Sequence, residues 1–300
     1  MNLRPISLIF GLSLATLLSA PVSAAGAEAE TLAALQAAGF KPQVKEGVVT
    51  DFGWGNPAFT PELWQRLPEL TSLRNLIAEG KCTDTAGLEV LTRLPNLEKL
   101  FINGSTFDDA GFAVLARVPN LKSIGFDHNH VFTGAGMASL KAAPNLRRIG
   151  LGGCMKVTAE GAKSCGEVTQ LESLKLTHLG LGDETLAAFD RFVNLHEFEF
   201  DNSFRGTLTG AGLAKIGAMK GLEKLMLGEF VTTFDLGLKH LAGLKGLKTL
   251  TLQKVGLPEP DLARLQAALP DTKITLTPPT DQDLASWQRN VAKLNNAPAK

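Results

Sequence analysis

The chain has no tyrosine, only three tryptophans and only three cysteines in 300 residues. Tyrosine and tryptophan are the usual anchors of binding surfaces, so a recognition face here must lean on other side chains. Cys82, Cys154 and Cys165 are an odd set, which excludes a disulfide framework, and they read as three free thiols. Neither sign of charge is in excess, with Lys+Arg and Asp+Glu both at 30. That balance removes the electrostatic case for nucleic acid or an anionic membrane as partner. Long apolar runs are confined to the N-terminus, and the run there, "ISLIFGLSLATLLSA", is too short for a comfortable membrane span.

That run is preceded by the basic start "MNLR", broken by Pro21 and followed by the small residues "VSA". Together these features define residues 1–24 as a secretion signal cleaved after Ala24. No cysteine follows to carry a lipid anchor. Removing the segment takes away only Arg4 among charged side chains, leaving 29 basic against 30 acidic residues, or net −1. The expected location is periplasmic or extracellular, with no membrane span in the mature chain.

Hydrophobic residues make up 44% of the chain, and their arrangement is periodic. From Leu70 the sequence divides into eight similar units, beginning at Leu70, Leu94, Val118, Ala143, Val168, Phe192, Met219 and Leu244. The spacings are 24, 24, 25, 25, 24, 27 and 25 residues, and a shortened ninth unit opens at Leu269. Each unit starts with an apolar-x-x-apolar-x-apolar run, as at Leu97, Leu100 and Ile102. The alternation of Leu100 and Ile102 predicts a strand. Each unit ends with apolar residues at three- and four-residue steps, as at Phe112, Leu115 and Val118, which predicts one face of a helix. Between the halves sits Asp or Thr followed by Gly, as in "DDAGF" and "LTGAGL", where the polar side chain is expected to cap the helix.

A strand and a helix recurring at this spacing cannot close a core alone, whereas stacked units bury a continuous one. The pattern Leu-x-x-Leu-x-Leu-x-x-Asn/Cys is met by Leu146, Ile149, Leu151 and Cys154. With these residues, the sequence resembles the leucine-rich repeat family, close to its ribonuclease-inhibitor-like and cysteine-containing subclasses. A signal peptide ahead of "DAGL"-type units looks like secreted bacterial members. The resemblance implies an α/β horseshoe, with a parallel sheet on the concave face and helices on the convex face. No F-box segment, frequent in the cysteine-containing subclass, is present.

Domain limits follow: 1–24 as signal, 25–69 as an N-terminal capping region, 70–277 as repeats, and 278–300 as a C-terminal helix and tail. The capping region carries a helix, "AEAETLAALQAAG", a degenerate strand, "EGVVTDFGWG", and a second helix, "TPELWQRL". The C-terminal helix is expected to start at Thr280 and fold back through Trp287. The final "NAPAK" is expected to be disordered.

Three stretches look like chemistry. "GFDHNHVFTGAG" (Gly125–Gly136) offers Asp-His-x-His and a glycine-rich turn. "TGAG" recurs at Thr209–Gly212 and is followed by no Walker lysine, so it is a repeat turn and no P-loop. His128 and His178 occupy matching positions two units apart, where Cα atoms would be roughly 10 Å apart across two parallel spacings. With no third ligand apparent, solvated turns and no metal are expected. "HEFEFDN" aims Glu197, Glu199 and Asp201 at the concave face. Lys175 and Lys224 stand opposite on adjacent strands, so charge pairing explains these acids better than catalysis. Cys154 takes the Asn/Cys position and Cys165 a core helix position, leaving Cys82 in a loop as the exposed thiol.

The expected function is that of an exported, non-enzymatic binding protein using its concave face on a protein or peptide. Eight strands make that face some 35 Å long. The face is expected to present Ile77, Lys99, Phe101, Asn103, Asp127, Arg148, Lys175, Glu197, Glu199, Asp201, Lys224 and Met226. Binding should centre on Ile77 and Phe101, beside a bare floor of Gly125, Gly150 and Gly152, with Lys99, Asp127 and Arg148 as a polar rim; the alternative is that Phe101 merely covers its neighbours. The alternatives are a glycan- or matrix-binding surface module, disfavoured because sugar sites favour flat rings and Phe101 is the only concave aromatic residue expected, and a hydrolase using the concave carboxylates. No cofactor and no nucleic-acid partner are expected.

Overall fold

The computed structural model describes residues 24–203 and 208–295. The expected signal segment, apart from Ala24, and the expected disordered tail, 296–300, lie outside the described residues. Each unit contributes one strand, and the strands hydrogen-bond in chain order into a single eleven-stranded sheet. The strands are β1 (Gln43–Lys45), β2 (Val48–Phe52), β3 (Asn75–Glu79), β4 (Lys99–Asn103), β5 (Ser123–Asp127) and β6 (Arg148–Gly152). They continue as β7 (Ser173–Thr177), β8 (Glu197–Asp201), β9 (Lys224–Val231), β10 (Thr249–Gly256) and β11 (Lys273–Thr277). Every pairing from β2 onward is parallel; β1 and β2 form an antiparallel hairpin that the sequence reading did not resolve. The architecture is an α/β leucine-rich-repeat solenoid.

Register follows from the period-two pattern, because a one-residue slip would turn every apolar side chain out of the core. The second and fourth residues of each strand point inward and stack: Leu100 on Ile124 on Ile149 on Leu174, then Phe198, Leu225 and Leu250. All of these are buried. A phenylalanine cluster of Phe107, Phe112, Phe126 and Phe132 fills the solenoid interior, with ring centroids 4.9–6.4 Å apart.

The turn after each strand turns backbone groups into this apolar interior, and they must be satisfied there. Asn129 does so with its whole amide. Its Nδ2 donates to Ser105 Oγ and the Phe107 carbonyl, and its Oδ1 accepts from the N–H groups of Val131 and Phe132. In the next unit Cys154 Sγ lies 3.4 Å from the Phe126 carbonyl, a weaker version of the same contact. Asn202 donates to the Leu181 carbonyl.

The convex side differs from the helix-per-unit expectation. Ala135–Ala142, Thr185–Arg191 and Leu238–Gly243 are 3-10 segments, while Gly111–Leu115 and Ala159–Lys163 are short α-helices. A 24- or 25-residue unit leaves too few residues on this side for several α turns. The 27-residue unit has room for the nine-residue helix Gly210–Ala218. Neighbouring units also touch backbone to backbone there: a Cβ on Gly161 would sit 2.0 Å from the Thr133 carbonyl oxygen. Capping is as expected at Asp84, Thr158 and Thr209, whose side chains accept from Gly87 N, Gly161 N and Ala211 N, and departs from expectation in the "DDAGF" unit. Asp109 does not cap its own helix; its carboxylate accepts from Thr133 N, Thr133 Oγ1, Gly134 N and Gly136 N in the following unit. Asp183 bonds Thr209 N in the same manner.

At the N-terminal end, the helix Ala24–Ala37 packs on the capping region, where Glu28 accepts from Val49 N and Thr31 donates to Glu69, and Pro61–Arg66 is capped by Thr60. At the other end, the helix Asp281–Asn295 is started by Thr280, whose hydroxyl accepts from Asp283 N while its own N–H donates to the Asp283 carboxylate. Lys254 on β10 reaches Asp283 at 3.3 Å and ties this helix to the solenoid; Trp287 is half-buried. Among the described residues no helix is long and apolar enough to cross a membrane.

Two outcomes follow for stability. Phe198→Asp puts an unpaired charge in a fully buried site and should cost several kcal/mol, whereas Glu197→Ala on the outward face should change stability by less than about 0.5 kcal/mol; equal shifts in denaturant midpoint would place the register off by one. Asp109→Ala should cost about 2 kcal/mol at neutral pH, as loss of hydrogen bonds to a charged acceptor does. Burial pushes the Asp109 carboxyl up, but the Thr133 hydroxyl and the backbone N–H groups of Gly136, Thr133 and Gly134 together hold it below the usual carboxylate range. A depressed folded value means the contribution is complete above the unfolded value of about 3.9 and fades as pH falls through the lower folded value. Denaturant titrations of both chains from pH 7 to 2 should therefore converge at the acid end.

Candidate functional site

The outward residues of the sheet form three rows running across the strands. The first reads Asn75, Lys99, Ser123, Arg148, Ser173, Glu197 and Lys224; the second Ile77, Phe101, Gly125, Gly150, Lys175, Glu199 and Met226; the third Glu79, Asn103, Asp127, Gly152. The third continues past Thr177 to Asp201. Alternation along each strand puts all three rows on one face, so eleven of the expected surface residues share it openly. Asp201 is the exception: it is 4% exposed, and both its oxygens accept from the His178 N–H.

In the N-terminal half this face is hollowed into a groove of about 420 Å³. Ile77 and Phe101 form one wall, Lys175 and Glu199 the other, and Lys99 and Arg148 stand on the rim. The floor is less bare than the sequence suggested. Phe101 leans over Gly125, where an added Cβ would come within 2.7 Å of the ring, and Gly152 lies under the Asp127 carboxylate, 2.4 Å from such a Cβ. Gly150 alone is open, with nothing nearer than 3.9 Å. Lys99 and Arg148 have no carboxylate within ion-pair distance among the described residues, whereas Lys175 pairs with Glu199 at 3.1 Å and Lys224 with Glu197 at 3.5 Å. The groove therefore offers one apolar wall, one charged wall, and on its rim two cations without an ion pair among the described residues. Asn103 is engaged within the sheet edge, donating to Glu79 and holding His128 Nδ1 at 3.1 Å.

Phe101 is not the only aromatic ring here. Trp54, 66% exposed, packs against it with centroids 4.9 Å apart and planes at 59°. The chain leaves the sheet after Phe52, and the Gly53–Gly55 turn swings the indole onto the neighbouring surface. Trp54 lies past the last paired residue of β2, so no repeat column assigned it a face.

In the C-terminal half a second hollow, of about 340 Å³, has polar walls that include Thr177, His178, Asp201, Glu229 and Gln253, with Met226 at its side. His178 and Glu229 belong to a column of left-handed turn residues that follow the strands: His128 (φ 55°), Gly153 (φ 60°), His178 (φ 55°), Glu229 (φ 62°) and Lys254 (φ 52°). His128 and His178 do not converge as the two-unit spacing allowed. The His128 ring packs toward Gly153, and His178 Nε2 leans in the same direction, away from His128, to 3.8 Å from Asp201 Oδ2 and 3.9 Å from Glu229 Oε1. Glu229 in turn meets Lys254 at 3.5 Å. Burial pushes the Glu229 carboxyl up, the Asp201 charge adds to this, and His178 and Lys254 oppose it. Glu229 was missed from sequence although it stands two units beyond His178 in the same column, the offset already considered for the histidines.

The concave acids make no acid–base pair in the open, since Glu197 and Glu199 are each held by a lysine. The cysteines are free. Cys154 and Cys165 are buried, and burial pushes their thiols up to about 11 and about 12. Cys82 is not the exposed thiol expected: it is half-buried, donates to the Phe59 carbonyl at 3.3 Å, and burial with the Asp84 and Glu62 charges raises its pKa.

No protein-family model and no curated protein matches the chain. Solved structures do. A leucine-rich-repeat protein of Leptospira interrogans is 17% identical, with 70% of this chain and 62% of that one covered and a TM-score of 0.38. Internalin C2 of Listeria monocytogenes is 19% identical, covering 68% of this chain and 80% of that one, TM-score 0.45. An internalin, inlF, of the same organism is 17% identical, covering 75% and 68%, TM-score 0.46. The chain thus spans under two thirds of the Leptospira protein's length, and the fold assignment rests on this chain's own strand order and register.

The thiol placements set one expectation. In the native chain at pH 8 a disulfide reagent should modify Cys82 slowly and leave Cys154 and Cys165 untouched until denaturant is added. Rapid native modification of two or more thiols would contradict the burial described.

Proposed function

We propose that the chain is an exported, non-enzymatic recognition protein that holds a protein or peptide partner on its concave face, in the groove at β3–β7. One observation carries the reading: an apolar wall of Ile77 and Phe101, extended by Trp54, borders the open Gly150 and faces two cations, Lys99 and Arg148, that form no ion pair among the described residues. A bulky apolar side chain seated over Gly150 and followed by a carboxylate satisfies both features. Apolar anchors surrounded by a polar rim are how interfaces concentrate their energy. Export is supported by the composition of residues 1–24. The absence of enzymatic activity is supported by the lysine-paired state of the concave acids.

A second reading, a glycan-binding surface, gains support from Trp54. The argument against it was the lack of a second ring, and a second ring is present. The free face of the indole suits a sugar, whereas the groove beyond it suits a peptide side chain.

Gly150→Arg separates these readings, because the site accommodates a side chain without strain on the fold. Chain immobilised through its C-terminus and exposed to a secretome or periplasmic extract should capture a partner. Gly150→Arg and Phe101→Ala should each weaken that capture at least fivefold, the equivalent of about 1 kcal/mol, with thermal unfolding unchanged. Loss on Trp54→Ala alone, with a glycan array responding, favours the sugar reading. Unaltered capture by both groove variants would move the site off this face.

A further inference from the structure

We propose that His178, Asp201 and Glu229 form a binding site for a divalent transition-metal ion of the zinc class. This goes beyond the recognition reading and does not depend on it. His178 follows the last residue of β7, Asp201 ends β8 and Glu229 lies within the neighbouring β9, and one ligand atom from each lies within 4.8 Å of the other two. His178 Nε2 stands 3.8 Å from Asp201 Oδ2 and 3.9 Å from Glu229 Oε1. A point equidistant from three atoms so spaced is about 2.2–2.5 Å from each, by the geometry of the triangle. Zinc bonds to nitrogen and carboxylate oxygen run about 2.0–2.2 Å, so a small rotation of exposed His178 and of Glu229 completes the contact.

The surroundings suit an ion more than an ordinary ion pair. Asp201 is 4% exposed, and its carboxylate is fixed by the His178 N–H and the Ser203 hydroxyl, which leaves its Oδ2 directed at the imidazole. Two carboxylates from adjacent strands therefore face one imidazole across a shared space. The row between His178 and Glu229 is vacated by the β8 unit, because Asn202 turns its side chain inward to the Leu181 carbonyl. Lys254, 3.5 Å from Glu229, is the natural competitor, but it has a second carboxylate at 3.3 Å in Asp283 and can remain there. The hollow in front supplies room for water at the remaining coordination position, as in zinc sites with three protein ligands. An imidazole in the set favours zinc, cobalt or nickel over calcium and magnesium, which prefer oxygen alone.

The test is isothermal titration of the chelator-dialysed chain with zinc chloride, and separately with calcium chloride. One zinc per chain with Kd below about 100 μM is expected, with no calcium heat. His178→Ala and Glu229→Gln should each weaken zinc at least tenfold, His128→Ala should leave it unchanged, and Lys254→Met should tighten it by removing the competitor. Circular dichroism confirms that each variant is folded; should either ligand variant unfold, the Lys254→Met and His128→Ala isotherms still discriminate. No saturable zinc binding by the wild-type chain, or zinc binding that both ligand variants retain, or that His128→Ala abolishes, would overturn the assignment.

Discussion

A five-residue strand followed by a turn and a short helical segment has one apolar side and no way to cover it alone. In-register stacking is therefore the interaction on which everything else in this molecule rests. Parallel hydrogen bonding fixes Leu100, Ile124, Ile149, Leu174 and Phe198 into one buried file. The same register fixes which side chains stand on the outer face. Phe198 is buried and Glu197 and Glu199 are not because neighbouring strands pair residue for residue, and a recognition surface inherits its geometry from that pairing. The stack also has to satisfy its own turns, and Asn129 and Asn202 do so with amides that nothing apolar could replace.

One consequence is a division of the concave face into two chemical halves. Toward β4 the outward rows hold aromatic, aliphatic and glycine residues beside cations that form no ion pair among the described residues. Toward β9 they hold acids, lysines paired to them, and the histidine–carboxylate cluster that leads to Lys254 and the C-terminal helix. Long side chains of alternate units reach one another across the intervening strand, as at His178 and Glu229, so a cluster of this sort is a product of the repeat and requires no dedicated loop.

The sequence made the strand register legible because period-two alternation inside a 24- to 27-residue repeat leaves little freedom. It made the cross-strand pairs Lys175–Glu199 and Lys224–Glu197 legible for the same reason. It was less informative wherever a residue left its column. Trp54 sits past the end of β2, in a turn whose direction is set by Gly53 and Gly55. Asp201 was expected on the open face but is drawn into hydrogen bonding with the His178 backbone, since its unit turns one residue early and places Asn202 inward. Gly125 and Gly152 were expected bare, yet a missing Cβ invites the neighbouring Phe101 and Asp127 to cover the gap. The convex helices were overestimated because helical periodicity does not distinguish an α-helix from a 3-10 segment of six to eight residues.

The most direct measurement for recognition on the concave face is lysine footprinting by acetylation of the chain alone and in its captured complex. Lys99 lies on the groove rim, while Lys141 lies exposed on the convex segment Ala135–Ala142. Protection of Lys99 in the complex, with Lys141 reacting at its free rate, is the predicted result. Protection of Lys141 with Lys99 unchanged would contradict the account.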